Sequence, residues 1–152
     1  YLSWGVKRSP GQTFRFAELA NDVNDHMPDY VVRRLIMGLN QRKKALNGSR
    51  ILLLGLAYKR NTGDARESPA ERICELLLQL GAEVRAADPF VVESHIDQRV
   101  IRVEATIAEA AAADAVLLVT DHDEFDLESL AAKAPYFLDA RHQVSGPAVE
   151  SL

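Results

Sequence analysis

The chain has 152 residues, of which 47% are apolar and 26% are charged, and its formal net charge is −4 at pH 7. This length suffices for one domain with its own core, and the charge gives no support for general nucleic-acid binding. The single cysteine, Cys74, excludes an internal disulfide, and it shows no metal-ligand spacing with the four histidines. No apolar run reaches the about 18 residues of a membrane span, so we expect a globular cytoplasmic protein without metal or membrane.

Two helical patterns open the chain. Apolar residues recur along one helical face over 14–27, and Pro28 then interrupts or kinks the helix. A second pattern over 29–46 ends at Asn47-Gly48, which is a common stop signal. Because both helices precede the first strand, we expect them to connect to, or pack on, something outside this segment.

After Gly48, strand and helix patterns alternate. Two helix starts are explicit, since Ser68-Pro69 and Thr106 each begin a capping-box pattern. The order predicts an α/β fold: a doubly wound, mostly parallel Rossmann-like sheet in 48–152, preceded by a helical connecting segment in 1–47. Strands are predicted at 50–55, 83–87, 100–103, 115–119 and 136–139, and helices at about 69–80, 106–113 and 127–133.

The loops after the first and fifth predicted strands are cationic. Ligands of doubly wound sheets collect beyond the carboxyl ends of the strands. If the first, fourth and fifth strands are neighbours, Lys59 and Arg141 converge on one dianionic group such as a pyrophosphate. The segment 55–60, GLAYKR, lacks the second and third glycines of a dinucleotide fingerprint and is not a P-loop, so side chains would have to hold the phosphates. Judged by spacing alone, solvated surface charges are an equally good interpretation.

Four segments in order resemble a known family. GLAYKRNTGDARESPA, GAEVRAADP, LLVTDHDEF and FLDAR are similar to the C-terminal nucleotide-binding domain of the UDP-glucose/GDP-mannose dehydrogenase family. The opening helices resemble that family's central connecting helices, which form its dimer contact. The resemblance covers about Tyr1 to Arg141. Since the chain begins with Tyr1 rather than methionine and no GxGxxG segment is present, we expect a piece of a longer protein.

The resemblance implies an activity and a set of site residues. The family oxidises the C6 alcohol of a nucleotide sugar to a carboxylate with two NAD+ molecules, through a covalent cysteine intermediate. By match to the motifs, Tyr58, Lys59 and Arg141 would bind the UDP-sugar. Arg66 would reach NAD, which is bound mainly by an N-terminal domain. The resemblance also implies a homodimer through the helices at 14–46.

Some residues favour structural interpretations. Cys74 lies on the apolar face of a predicted helix, which indicates a core thiol, so we expect no catalytic residue here and no activity of this fragment alone. For His122 we favour a surface or loop-ordering role. Asp88 could contact a ribose, but Asp-Pro also makes a turn. Two alternatives stay open: a non-catalytic oligomerisation or scaffold module, and an unrelated doubly wound domain that binds another phosphorylated ligand.

Overall fold

A computed structural model describes residues 10–92 and 95–152. These residues form a six-stranded sheet in which every pair of neighbouring strands is parallel, flanked by four helices. In chain order the elements are α1 (Pro10–Gln41), β1 (Arg50–Leu54), α2 (Pro69–Gln79), β2 (Glu83–Ala87), β3 (Ile101–Arg102), α3 (Ile107–Ala112), β4 (Ala115–Leu118), α4 (Leu127–Lys133), β5 (Phe137–Asp139) and β6 (Val149–Ser151). The strand order β3-β2-β1-β4-β5-β6 reverses between β1 and β4, so the predicted doubly wound α/β sheet is confirmed.

The sheet has a core on each face. Successive residues of a strand point to opposite sides, and β1 shows this directly. Ile51 and Leu53 lie in one apolar cluster with residues of α1 and α2, whereas Leu52 and Leu54 lie in a second cluster with residues of α3 and α4. All four side chains are fully buried, which is why the β1 sequence reads as an unbroken apolar run rather than an alternating one.

One long helix replaces the two predicted N-terminal helices. Helix α1 has 32 residues and contains Pro28 in its interior, so the predicted interruption at Pro28 is wrong. Residues 15–27 are exposed, but Val32, Leu35 and Leu39 of the second half are buried in the same cluster as the sheet. We expect both helices to connect to, or pack on, something outside this segment; the second half of α1 instead packs on this sheet, where its apolar face completes one of the two cores.

Helix α1 ends about five residues earlier than predicted. The amide of Lys44 donates to the Leu39 carbonyl at 3.0 Å, and the amide of Lys43 donates to the Asn40 carbonyl at 2.9 Å. Lys43 has φ +59°, so the stop is a left-handed cap of the Schellman kind carried by a lysine. The predicted stop at Asn47-Gly48 instead lies in a turn in which the Ser49 amide donates to the Leu46 carbonyl. The Gly48 amide donates to the Gly81 carbonyl, which follows α2.

The sequence did not predict β6. This strand has three residues, lies at the edge of the sheet and pairs with β5 in the register Phe137 to Val149. The other strand and helix predictions agree with the structure to within one or two residues at each end. Both predicted helix starts are confirmed as N-caps, although the Ser68 hydroxyl accepts from the Ala70 amide, whereas Thr106 accepts from Glu109 as a capping box requires.

A polar contact holds α1 to the far edge of the sheet. The Tyr136 hydroxyl is buried and donates to Glu150 at 3.0 Å, and the Arg34 Nε donates to the other Glu150 oxygen at 3.0 Å. The Arg42 guanidinium lies 4.0 Å from the centre of the Tyr136 ring. A side chain at Gly38 would meet the Tyr136 hydroxyl at 2.1 Å, so only glycine lets α1 approach this closely.

Candidate functional site at the carboxyl edge of the sheet

The loops after β1 and β4 meet where the strand order reverses. Gly55 has φ +89°, and a Cβ there would lie 2.4 Å from the Thr120 carbonyl oxygen, so the two loops approach too closely for any other residue at this position. The Thr120 hydroxyl then donates to the Ala57 carbonyl at 2.7 Å. In doubly wound folds the crevice where the strand order reverses is the usual ligand position, and here the loops after β1 and β4 contact each other at that point.

Asp88, at the end of β2, holds the start of the first loop. One carboxylate oxygen accepts from the amides of Leu56 and Ala57 at 2.7 and 3.0 Å, and the other accepts from the amides of Phe90 and Val91 at 2.8 and 2.9 Å. Burial by itself would raise the Asp88 pKa, but these bonds outweigh it and lower the pKa. The side chain has no exposed surface, so the ribose-contact interpretation is wrong and the turn interpretation is confirmed.

His122 joins Asp88 to the far side of the same loop. Its Nε2 lies 2.8 Å from the Asp88 carboxylate, and its Nδ1 lies 2.9 Å from the Asn61 amide nitrogen. The ring is buried and lies between the rings of Phe90 and Phe125, with centroid distances of 5.0 and 5.5 Å. The loop-ordering interpretation of His122 is therefore confirmed, and the surface alternative is wrong.

Asp121 connects two arginines from different strand ends. Its nearly buried carboxylate accepts from the Arg141 Nε at 2.9 Å, while the other oxygen lies 3.8 Å from a terminal nitrogen of Arg60. Arg60 also pairs with Asp123. The Arg141 side chain is still 51% exposed, because Asp121 holds only its Nε. The terminal Arg141 nitrogens make no hydrogen bond to any residue that the structure describes.

Asp139 orders the loop that carries Arg141. It is fully buried at the end of β5 and accepts from the amides of Arg141, Gln143 and Val144 at 2.8, 2.6 and 2.9 Å. His142 adopts φ +56° within this turn. An acidic residue that ends or follows a strand and accepts from the amides of the next loop thus occurs at both Asp88 and Asp139. The sequence predicted such a turn only at Asp88.

Tyr58, Lys59 and Arg66 line one cavity beside the first loop. Its volume is about 490 Å³, and it is open to solvent. The Lys59 ammonium lies 5.7 Å from the centre of the Tyr58 ring, within cation–π reach. Arg66 makes two bonds to Asp64, at 2.9 and 2.8 Å, which raise the Arg66 pKa and lower that of Asp64 to about 2. The cavity is lined by Tyr58, Lys59, Thr62, Asp64, Arg66 and Glu67.

The structure relates the four predicted site residues in two groups. Tyr58, Lys59 and Arg66 share the cavity, whereas Arg141 is not among its lining residues. Arg141 belongs to the same edge of the sheet, because Arg60, the neighbour of Lys59, lies against the carboxylate that holds Arg141. Lys59 itself forms no ion pair with any residue that the structure describes. The carboxyl edge of the sheet thus carries Lys59 in the loop after β1 and Arg141 in the loop after β5.

Other reactive groups lie away from this edge. Cys74 is buried in α2, and burial raises the pKa of its thiol to about 12, in agreement with the predicted core thiol. Among residues 10–92 and 95–152, histidine, cysteine and carboxylate side chains form no group of three that could hold a metal ion. Across the same ranges, none of the helices has the length and apolar character needed to span a bilayer.

The strand order and flanking helices define the class as a doubly wound, Rossmann-like α/β domain. The sequence profile of the UDP-glucose/GDP-mannose dehydrogenase family, UDP binding domain, matches residues 52–146. The chain is 33% identical over 143 residues to a UDP-glucose 6-dehydrogenase of Haloferax volcanii, covering 91% of this chain and 32% of that protein. It is 30% identical over 144 residues to a UDP-N-acetyl-D-mannosamine dehydrogenase of Pyrococcus horikoshii, again covering 91% and 32%.

Solved structures agree with these relatives. An NDP-N-acetyl-D-galactosaminuronic acid dehydrogenase from Methanosarcina mazei superposes with a TM-score of 0.76 at 25% identity, covering 99% of this chain and 34% of that one. A UDP-D-ManNAc dehydrogenase from Pyrococcus horikoshii gives a TM-score of 0.72 at 26% identity, covering 97% and 34%. The chain belongs to the UDP-glucose/GDP-mannose dehydrogenase family, and it spans about a third of the length of these relatives.

Proposed function

We propose that this chain is the UDP-binding part of a cytoplasmic, NAD-dependent nucleotide-sugar 6-dehydrogenase, which converts a UDP-sugar to the corresponding UDP-uronate. In this proposal Tyr58, Lys59 and Arg141 bind the UDP-sugar, and Arg66 reaches an NAD that another domain mainly binds. The nucleophilic cysteine belongs to that other part as well, since Cys74 is buried and its thiol stays protonated. The chain alone is then inactive as a dehydrogenase.

The observation that carries the proposal is the cavity beside the first loop. In a family whose matched domain is described as UDP binding, the match includes the loop that lines this cavity. Lys59 offers an ammonium to a phosphate, and Arg141 offers the terminal nitrogens of a guanidinium that Asp121 holds in place. A diphosphate carries enough negative charge to engage both.

Calorimetric titration with UDP tests the site. Losing a hydrogen bond to a charged group costs about 1.5–3 kcal/mol, so Lys59→Ala should weaken UDP binding at least about tenfold. Arg141→Lys keeps the charge near Asp121 but removes the fork of donors, and it should also weaken binding. Lys133→Ala and Arg72→Lys change exposed side chains on α4 and α2 and serve as matched controls.

Three results of the UDP titration decide whether the site assignment holds. Losses in both site variants with unchanged controls support the assignment. Measurable binding that neither Lys59→Ala nor Arg141→Lys alters would contradict it. No UDP binding by the unmodified chain at millimolar concentration would count against the proposal that this domain provides the UDP site.

A second function is favoured by the exposed apolar face of α1. Phe16, Val23, Tyr30 and Met37 lie seven residues apart, and Leu19 lies three residues after Phe16. These side chains are between 43% and 75% exposed. A single helix in water is marginally stable, and apolar residues at this spacing form the seam of paired helices. We propose that this seam is the homodimer contact.

Sedimentation equilibrium at several concentrations tests the dimer. Val23→Glu places a charge in the seam and should shift the chain toward monomer, because a desolvated charge is costly in an apolar contact. Asn24→Glu adds the same charge one residue away, outside the seam, and should leave the association constant nearly unchanged. The dimer proposal would be contradicted if the unmodified chain stays monomeric at high concentration. Equal effects of Val23→Glu and Asn24→Glu on the association constant would also contradict it.

A further inference from the structure

We propose that His122 and Asp88 act together as a positioning pair that fixes the segment Leu56–Asn61, and with it the UDP-binding side chains Tyr58 and Lys59. The inference rests on the function proposed above for these two residues. It concerns residues that do not line the Tyr58 cavity themselves. Both side chains of the pair have no exposed surface, so they act on a ligand only through the loop.

The pair holds the segment at both ends. At its start, Asp88 accepts from the amides of Leu56 and Ala57. At its end, His122 accepts from the Asn61 amide at 2.9 Å. The two side chains also contact each other at 2.8 Å, so the bonds at both ends of the segment belong to one hydrogen-bond network. The residues between these anchor points are the ones whose side chains face the cavity and Asp121.

The hydrogen bonds also fix the tautomer of His122. A backbone amide can only donate, so the Nδ1 that receives the Asn61 amide must be the unprotonated nitrogen of the ring. The proton is then on Nε2, which donates to Asp88. Each nitrogen therefore has one partner and one role. A residue at position 122 that lacks either the acceptor or the donor leaves one buried group of this hydrogen-bond network without its bond.

Packing also holds His122 in place. The buried imidazole contacts the phenyl rings of Phe90 and Phe125, with centroid distances of 5.0 and 5.5 Å. Asn61 itself has φ +57°, in the left-handed region that asparagine adopts more readily than most residues other than glycine. The Asn61 side chain makes two further bonds to Asp123, so Asn61 is held by both His122 and Asp123, which are neighbours in the loop after β4.

The positions of Tyr58 and Lys59 depend on this backbone. Between the two anchor points, the Tyr58 amide donates to the Asp64 carbonyl at 2.8 Å, which folds the loop back toward Arg66. If the anchors are lost, the loop samples other conformations and the ligand must bind the competent fraction only. The apparent dissociation constant then rises by the inverse of that fraction.

The experiment replaces His122 and measures UDP affinity and amide hydrogen exchange in the same samples. His122→Ala removes both bonds. His122→Asn can keep an acceptor near the Nδ1 position, and His122→Gln can keep a donor near the Nε2 position. We expect UDP binding at least about tenfold weaker for His122→Ala, with the other two variants in between. His95→Ala, which removes an exposed histidine, is the control.

Hydrogen exchange gives a readout that does not need the ligand. The amides of Leu56, Ala57 and Asn61 should exchange at least about tenfold faster in His122→Ala, while those of the β4–β5 ladder stay protected. A drop in melting temperature with unchanged UDP affinity and unchanged exchange at these amides would overturn the proposal, because it would give His122 a merely structural role. If the unmodified chain does not bind UDP, the proposed function fails, and faster exchange at the three amides then supports only the loop-fixing part.

Discussion

Replacing Gly55 by alanine should destabilise the fold and the site together. Gly55 has φ +89°, which costs an alanine about 1–2 kcal/mol. The new Cβ would also lie 2.4 Å from the Thr120 carbonyl oxygen, and backbone of the adjoining strand end cannot move aside cheaply. Overpacking of this kind costs about 1–3 kcal/mol. The two terms together predict a loss of about 2–5 kcal/mol, or about 4–20 °C in melting temperature at about 2–4 °C per kcal/mol.

Gly48→Ala provides the matched control. Gly48 has φ +82°, so it shares the backbone strain, but nothing lies within 4 Å of its added Cβ. Its loss should stay at about 1–2 kcal/mol. Thermal unfolding followed by circular dichroism gives both values. The reasoning fails if the two variants lose the same stability, because the close approach of the β1 and β4 loops would then contribute nothing.

Three further predictions concern buried polar groups. The Cys74 thiol, with its pKa raised from 9.0 to about 12, should react with a thiol reagent at least about 1000-fold more slowly in the folded chain than in denaturant; comparable rates would refute its burial. The hydrogen bonds that lower the Asp88 pKa stabilise the fold above the unfolded pKa of about 3.9, and this stabilisation is lost as pH falls through the folded pKa. The stability deficit of Asp88→Asn, measured by urea unfolding, should therefore shrink below about pH 4. A deficit that stays constant to pH 2 would contradict it. Tyr136→Phe should cost about 1–3 kcal/mol, because Glu150 loses a donor, and unchanged unfolding in urea would argue against that bond.

The sheet was predictable because its signals are local. The apolar run Ile51–Leu54 predicts a strand, and a serine before a helix predicts an N-cap, from adjacent residues alone. The errors arose where distant residues decide the local structure. Pro28 remains inside a helix, and Lys43 takes the left-handed cap position that glycine usually occupies. The edge strand β6 is three residues long and owes its existence to its pairing with β5.

The candidate site was predictable only in part. The residues that reach outward, Tyr58, Lys59 and Arg66, stood out because they follow a buried strand and match a family motif. Arg141 stood out for the same reason, but the residue that holds it did not, because an aspartate such as Asp121 gives no sign in sequence that it will accept from an arginine on another loop. That information lies in the strand order, which brings the ends of β1, β4 and β5 together.

A structure of this chain with UDP bound tests the central claim most directly. The account predicts the Lys59 ammonium and a terminal nitrogen of Arg141 each within about 2.7–3.2 Å of oxygens of one diphosphate. A diphosphate held at this edge by only one of these two side chains, or bound elsewhere on the sheet, would contradict it.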